Sequence, residues 1–153
     1  MNSLEELEQR LATPSQACVE DLAKVEGDIL VLGVGGKMGP SLAKLAANAL
    51  KEAGSSSKVI GVSRFSDEGV KEDLIRHGVE TISADILDDG ELASLPKASN
   101  VIFMAGKKFG TSGNEHATWA MNAYLPGRVA EHNRDARIVV FSSGNIYPFV
   151  PLS

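Results

Sequence analysis

The stretch that decides the fold is "DILVLGVGGKMGPSLAKLA", residues 28–46. Its opening, "DILVLG", is a short apolar run of the kind found in strands buried on both faces. The run drops into glycines at 33, 35, 36 and 39 and then continues with helical spacing. Such a turn admits two readings. It is a tight bend and nothing more, or it is a cradle in which N–H groups and a helix's positive end meet a pyrophosphate. Side chains at Gly33, Gly36 and Gly39 would block that approach. Pro40 fits the first helical turn, where its missing N–H costs nothing.

The rest of the chain supplies the context that a cradle requires. "KVIGVSR" (58–64), "VETISAD" (79–85), "NVIFMAG" (100–106) and "RIVVFSS" (137–143) read as further strands. Between them, residues 38–53 place Met38, Leu42, Leu45 and Ala49 on one helical stripe that stops at Gly54. Residues 67–78 read as a helix ended by Gly78, 88–94 as a short helical turn, and 114–132 as a long helix. Pro126 would clash there with the carbonyl of residue 122, so a kink is expected. This alternation predicts an α/β fold, a Rossmann-like parallel sheet of about five strands flanked by helices with right-handed crossovers. With strand order 3-2-1-4-5 the fifth strand is an edge, and apolar "RIVVFSS" favours a homo-oligomer formed through it.

Residues 1–27 read as an N-terminal helical appendage, and residues 28–153 as the nucleotide-binding domain. One short helix covers about 3–11. A second opens at "TPSQ", with Thr13 as cap, Pro14 at the first helical position and Gln16 completing a capping box. Cys18 falls with Leu22 and Val25 at i, i+4, i+7 and reads as a reduced core cysteine.

Composition narrows the function classes. A chain of 153 residues with 43% hydrophobic and 23% charged content reads as one soluble domain. The net charge of −5, with no basic cluster, argues against a nucleic-acid partner. No apolar run approaches the roughly 18–20 residues a membrane span needs, and no signal-peptide layout is present. A cytoplasmic location is therefore expected. His77, His116 and His132 lack metal-ligand spacing, so no metal site is expected. His77 and His132 lie near helix ends and read as solvated or capping groups. His116 and Trp119, on the first turns of the long helix, could line a substrate mouth.

The end of the second strand bears on cofactor choice. A free ribose 2′-hydroxyl is usually held by an acid there. This chain instead has Ser63 and Arg64, a hydroxyl and a guanidinium suited to a phosphate. NADP(H) is favoured over NAD(H), with Arg64 paired to Asp67 or Glu68 as the plainer alternative. The missing carboxylate also weakens a reading as an S-adenosylmethionine methyltransferase.

The spacing G-x-x-G-x-x-G, with Lys37 and Met38 between the last two glycines, resembles the extended short-chain dehydrogenase/reductases, the NAD-dependent epimerase/dehydratase group. Matching segments cover most of residues 28–148. The resemblance implies that Asp85 and Ile86 of "ADILD" lie at the adenine ring, although Asp85 could equally cap the next turn. It implies that small Ala105 and Gly106 let the cofactor pass closely, with Lys107 and Lys108 as loop lysines beyond. Asn122 in "WAMNAYLPG" matches an asparagine that braces the site from below, while Leu125 departs from the family's usual glycine.

In "FSSGNIYP", Ser143 matches the family's catalytic Ser/Thr, which hydrogen-bonds the substrate oxygen, and Ser142 would be structural. Gly144 and Asn145 stand where dehydratases carry an acid pair, which counts against sugar dehydration; Pro148 replaces a glycine. The family's acid/base tyrosine needs a lysine four residues on to work near neutral pH. Tyr124, read as a core residue, is followed at that offset by Arg128, and Tyr147 by Pro151. A Tyr-Lys pair and a substrate-binding lobe would come after Ser153.

Two functions are compatible with these residues. The first is the cofactor-binding part of an epimerase/dehydratase-like or reductase-like oxidoreductase, inactive as this fragment, with a small, sugar-like carbonyl or alcohol substrate. The second is a non-catalytic dinucleotide-sensing or regulatory module.

Overall fold

A computed structural model of the protein describes residues 3–107 and 112–142. Strand β1 (Ile29–Leu32) lies at the centre of a sheet, with β2 (Val59–Ser63) and then β3 (Glu80–Ser83) on one side. On the other side lie β4 (Asn100–Phe103) and then β5 (Arg137–Val140), giving the order β3-β2-β1-β4-β5. All four pairings are parallel, and Ile29 stands in register with Val59 and Asn100. Every residue of β1 is buried, as its unbroken apolar run requires. Side chains alternate across the sheet. Leu30 and Leu32 enter one core with Val62 and Phe103, while Ile29 and Val31 enter the opposite core.

Helices α3 (Gly39–Glu52) and α4 (Glu68–Arg76) cover the second of these cores; α5 (Asp89–Ser94) and α7 (Leu125–His132) cover the first. The buried face of α3 is centred on Gly39, Ala43, Ala46, Ala49 and Leu50. Of the expected stripe Ala49 is buried and Leu42 packs against the core, but Leu45 is only half-buried and Met38 is 57% exposed. Small residues face the sheet because the helix starts in contact with Val34: a Cβ on Gly39 would lie 2.1 Å from the Val34 carbonyl oxygen. The helix ends in a Schellman turn. Gly54 has φ +66, and the Ser55 N–H donates to the Leu50 carbonyl at 3.0 Å.

The N-terminal helices α1 (Leu4–Leu11) and α2 (Gln16–Leu22) pack on α3. Asn48 Nδ2 donates to the Ala12 carbonyl at 2.8 Å, and Lys44 Nζ lies 3.8 Å from Glu8. The cap of α2 is Ser15, whose Oγ accepts from the Cys18 N–H at 3.2 Å. Thr13 turns back instead, donating its hydroxyl to the Gln9 carbonyl at 2.7 Å, and Pro14 therefore precedes the helix. Cys18 is only half-buried, because this outer helix touches the body along a narrow flank; Leu22 and Val25 make the contact with the core.

The long helix is continuous but not uniform. α6 (Glu115–Trp119) passes into a π-helical turn (Ala120–Tyr124) before α7. The Leu125 N–H reaches back five residues to the Ala120 carbonyl. The expected kink at Pro126 thus takes the form of a widened turn that gives the ring room. Tyr124 is 61% exposed, with the Arg128 guanidinium 5.5 Å from its ring centre, and is not a core residue. The π turn changes the phase of the helix, so Leu125 and Val129 take the buried positions.

Candidate functional site

The sheet order creates a crevice. The chain runs outward from β1 to β3 and then returns to β4 on the other flank of β1, and ligands of such sheets bind at this reversal, beyond the strands' carboxyl ends. The glycine turn opens there. Its first residues are tied down: the Gly33 and Val34 N–H groups donate to the Val62 carbonyl at 2.9 and 3.2 Å, and Val34 is fully buried.

The glycines of this turn do different work. Gly33 has φ +91, and a Cβ on it would lie 2.6 Å from the Ala105 nitrogen. Gly33 and Gly39 are therefore demanded by packing against the segment after β4 and against Val34, a requirement that stands whether or not a ligand passes. Gly36 differs: among the described residues a Cβ there has only the Gly33 carbonyl oxygen near it, at 3.4 Å, and would otherwise fill open space. Gly35, backed by Ser63, is exposed together with Gly36, Lys37 and Met38. Met38 makes no side-chain cap to the first-turn N–H groups of α3.

The second rim is built where β2 and β3 end. Phe65 adopts φ +44 with its ring buried, and its N–H donates to Ser63 Oγ at 3.4 Å. That unusual backbone leaves Arg64 outside, between two anchored neighbours. Its Nη1 lies 3.9 Å from Asp85 Oδ2. Asp67 and Glu68, the partners considered from the sequence, are engaged elsewhere: Asp67 caps α4 through the Gly69 N–H, and Glu68 pairs with Lys71. Asp85 also makes the local turn, accepting the Leu87 N–H at 3.1 Å. The Ile86 side chain is buried in the core, which leaves only its backbone for a ligand.

The third rim follows β4. Ala105 lies against Gly33, and Asn122 grips the Lys107 backbone from the π turn, accepting its N–H at 2.7 Å and donating to its carbonyl at 2.8 Å. Gly106 sits beside that clasp: a Cβ on it would be 3.5 Å from Asn122 Oδ1. His116 and Trp119 are exposed on α6. Lys108, Ser143, Gly144, Asn145, Tyr147 and Pro148 lie outside the described residues.

The other histidines are structural. His77 Nδ1 lies 2.7 Å from the Asp73 carbonyl, closing α4. His132, expected to be solvated or capping, is half-buried; among the described residues its Nε2 has no hydrogen-bond partner, and burial, with the charge of Lys97, holds it below the usual histidine range. Among the described residues no group of three or more His, Cys, Asp or Glu side chains is placed to hold a metal ion. No helix among them is long and apolar enough to cross a membrane. A cleft of about 540 Å³ lies at the opposite end of the sheet, between residues 97–99 and 131–136, away from the glycine turn.

One side chain escaped the sequence reading. Lys44, on α3, is buried, and its ammonium bonds Asp73 of α4 at 2.9 Å. Burial pushes the Asp73 carboxyl up, but hydrogen bonds from Lys44 and Arg76 and the nearby charges outweigh it and hold the group below the usual carboxylate range.

No protein-family model matches the chain, and no curated protein matches it. Solved structures do. The Helicobacter pylori ADP-L-glycero-D-manno-heptose-6-epimerase is 22% identical with a TM-score of 0.69, over 88% of this chain and 44% of its own. The Bordetella bronchiseptica enzyme WbmF in complex with NAD+ is 19% identical with a TM-score of 0.62, over 84% of this chain and 39% of its own. The same enzyme with NAD+ and UDP is 18% identical with a TM-score of 0.61, over 78% and 36%. The chain therefore spans less than half the length of each of these structures. At this identity the likeness establishes a shared Rossmann-like fold.

Proposed function

We propose that this chain is the dinucleotide-binding half of an extended short-chain dehydrogenase/reductase, an oxidoreductase of the epimerase/dehydratase or reductase type. The observation that carries the reading is the open turn at Gly36, placed at the strand-order reversal between β1 and β4. The residues fit the group: a Cβ at Gly36 would fill the cradle, whereas the turn's other demands are met internally. Gly35, Gly36, Lys37, Met38 and the start of α3 would hold the pyrophosphate. Ser63 and Arg64 would hold a 2′-phosphate, which favours NADP(H). Asp85 and the Ile86 backbone would meet the adenine, while Ala105 and Gly106 leave room for the nicotinamide half.

Bound there, the cofactor would accept or donate hydride. Ser143 would hydrogen-bond the oxygen of a small, sugar-like carbonyl or alcohol substrate. Asn122 keeps the floor of the crevice in place through Lys107. None of the 153 residues forms a Tyr-x-x-x-Lys pair, so proton transfer needs a group this sequence does not supply. Residues 1–153 alone are expected to bind cofactor without turnover, and the cytoplasm is the compartment the reading favours. Fluorescence titration tests it. NADPH should bind more tightly than NADH, with the difference lost in Arg64→Ala. Equal affinity in the unsubstituted chain overturns the 2′-phosphate assignment, and no binding of either overturns the reading itself.

A further inference from the structure

We propose that Asp85 is a resident counter-ion for Arg64, which a 2′-phosphate must displace and a free 2′-hydroxyl leaves in place. The inference rests on the dinucleotide reading above and adds a residue that sets cofactor preference against the direction of Arg64 itself.

The geometry is specific. Arg64 is held at its backbone by Ser63, in β2, and by Phe65, whose ring is buried, but its side chain is 72% exposed. Asp85 is fixed more firmly. Its N–H donates to Glu91 at 2.8 Å, its carbonyl accepts the Asp88 N–H at 2.9 Å, and its Oδ1 accepts the Leu87 N–H. One carboxylate oxygen, Oδ2, is left over, and it points at the guanidinium from 3.9 Å. The ladder bond from the Ala84 N–H to the Ser63 carbonyl, 3.0 Å, keeps the two strand ends side by side.

A 2′-phosphate reaching Arg64 would therefore compete for the guanidinium with a carboxylate anchored nearby through its other oxygen. It would also sit within a few ångströms of that carboxylate's charge. Both effects weaken binding of the phosphorylated nucleotide, and neither touches the unphosphorylated one. An exposed ion pair contributes up to about 1 kcal/mol, so releasing Arg64 is worth up to about fivefold in affinity. Salt narrows the effect, because the pair is open to solvent.

The test uses Asp85→Asn, which keeps an acceptor for the Leu87 N–H, with folding checked by circular dichroism. The probes are adenosine 2′,5′-bisphosphate and 5′-AMP, then NADPH and NADH, each titrated calorimetrically. Because all four probes carry the adenine that Asp85 borders, the readout is a ratio: affinity for adenosine 2′,5′-bisphosphate relative to 5′-AMP, and for NADPH relative to NADH, should rise three- to fivefold. In Arg64→Ala the gain from Asp85→Asn should shrink. An unchanged ratio in Asp85→Asn, with Arg64→Ala still weakening the 2′-phosphorylated probes, overturns the counter-ion role and leaves the dinucleotide reading standing. Equal gains for all four probes also overturn it. Failure of the unsubstituted chain to bind any probe removes both readings together.

Discussion

Asn122 and Lys107 are joined by two hydrogen bonds, side-chain amide to backbone in both directions, at 2.7 and 2.8 Å. The amide stands in for a neighbouring strand just where β4 has lost its own, and so it fixes the path of the chain beside Gly106. Replacing Asn122 with Ala removes both bonds at once. We expect a loss of about 1–2 kcal/mol in urea denaturation, since each bond is worth about 0.5–1.5 kcal/mol and both ends are partly solvated. NADPH affinity should fall with it, and Asn122→Asp, which keeps only the acceptor, should lie between.

The glycines of the turn separate folding from binding. Gly33→Ala meets a positive φ and a backbone contact at 2.6 Å, and Gly39→Ala a contact at 2.1 Å. Both should lower the melting temperature sharply, by several degrees or more for losses above about 2 kcal/mol. Gly36→Ala has room in the fold and should keep its melting temperature within about 2 °C. It should nevertheless lose at least tenfold in NADPH affinity. Unaltered binding in Gly36→Ala would falsify the cradle.

Acid stability should report the Lys44–Asp73 contact. Asp73 is held below its unfolded value of about 3.9, so its contribution is present above that pH and is lost as pH falls through the lowered value. Lys44→Met removes the nearest cation while Arg76 remains at 3.2 Å. It should cost about 1–2 kcal/mol at pH 7 and flatten the fall in stability between about pH 4 and pH 2. Parallel pH profiles for the two proteins would refute the assignment.

His132 makes a second, separate pH signature. Its folded-state value is lowered, by burial first and then by Lys97, so the unfolded chain takes up the proton more readily. Stability is therefore full above about pH 6.5 and declines as pH falls from there through the lowered value. Thermal melts of His132→Gln between pH 5 and pH 8 should lose that part of the slope.

The two edges of the sheet are unlike. β3 presents Glu80 and Ser83, with Glu80 paired to Lys58, whereas β5 and the residue after it leave Val139, Val140 and Phe141 exposed. Among the described residues no strand pairs with the outer side of β5, and an apolar edge of that kind invites strand addition. We expect concentration-dependent self-association in size-exclusion chromatography, abolished by Val140→Lys. A monomer at high concentration with no shift in Val140→Lys would count against it.

Much of this was legible in the residues. The switch from an unbroken apolar run to glycines and then to helical spacing marks β1 and α3 without ambiguity, and the later strands announce themselves by the same contrast. The phase of α3 was legible only in part: Ala49 and Leu42 do face the core, but periodicity weights large apolar side chains, whereas the close approach at Gly39 turns the small face inward and leaves Met38 outside. Lys44 could not be read as buried, since its partner Asp73 is brought to it only when α3 packs on α4. Thr13 and Ser15 are equally good caps in isolation, and the choice is made by where α1 ends. The Arg64–Asp85 contact joins residues 21 positions apart in the sequence, and only the pairing of β2 with β3 puts them together.

The π turn leaves the helix with a residue more than its rise requires. The two halves on either side are consequently keyed separately. Leu125 and Val129 answer to the core, while Trp119 and His116 are set toward the exterior, about 100° per residue being the step between one setting and the next. Exposed positions of the first half, such as His116 and Trp119, can thus change without disturbing the packing of Leu125 and Val129, which leaves that surface free to diversify on a constant frame.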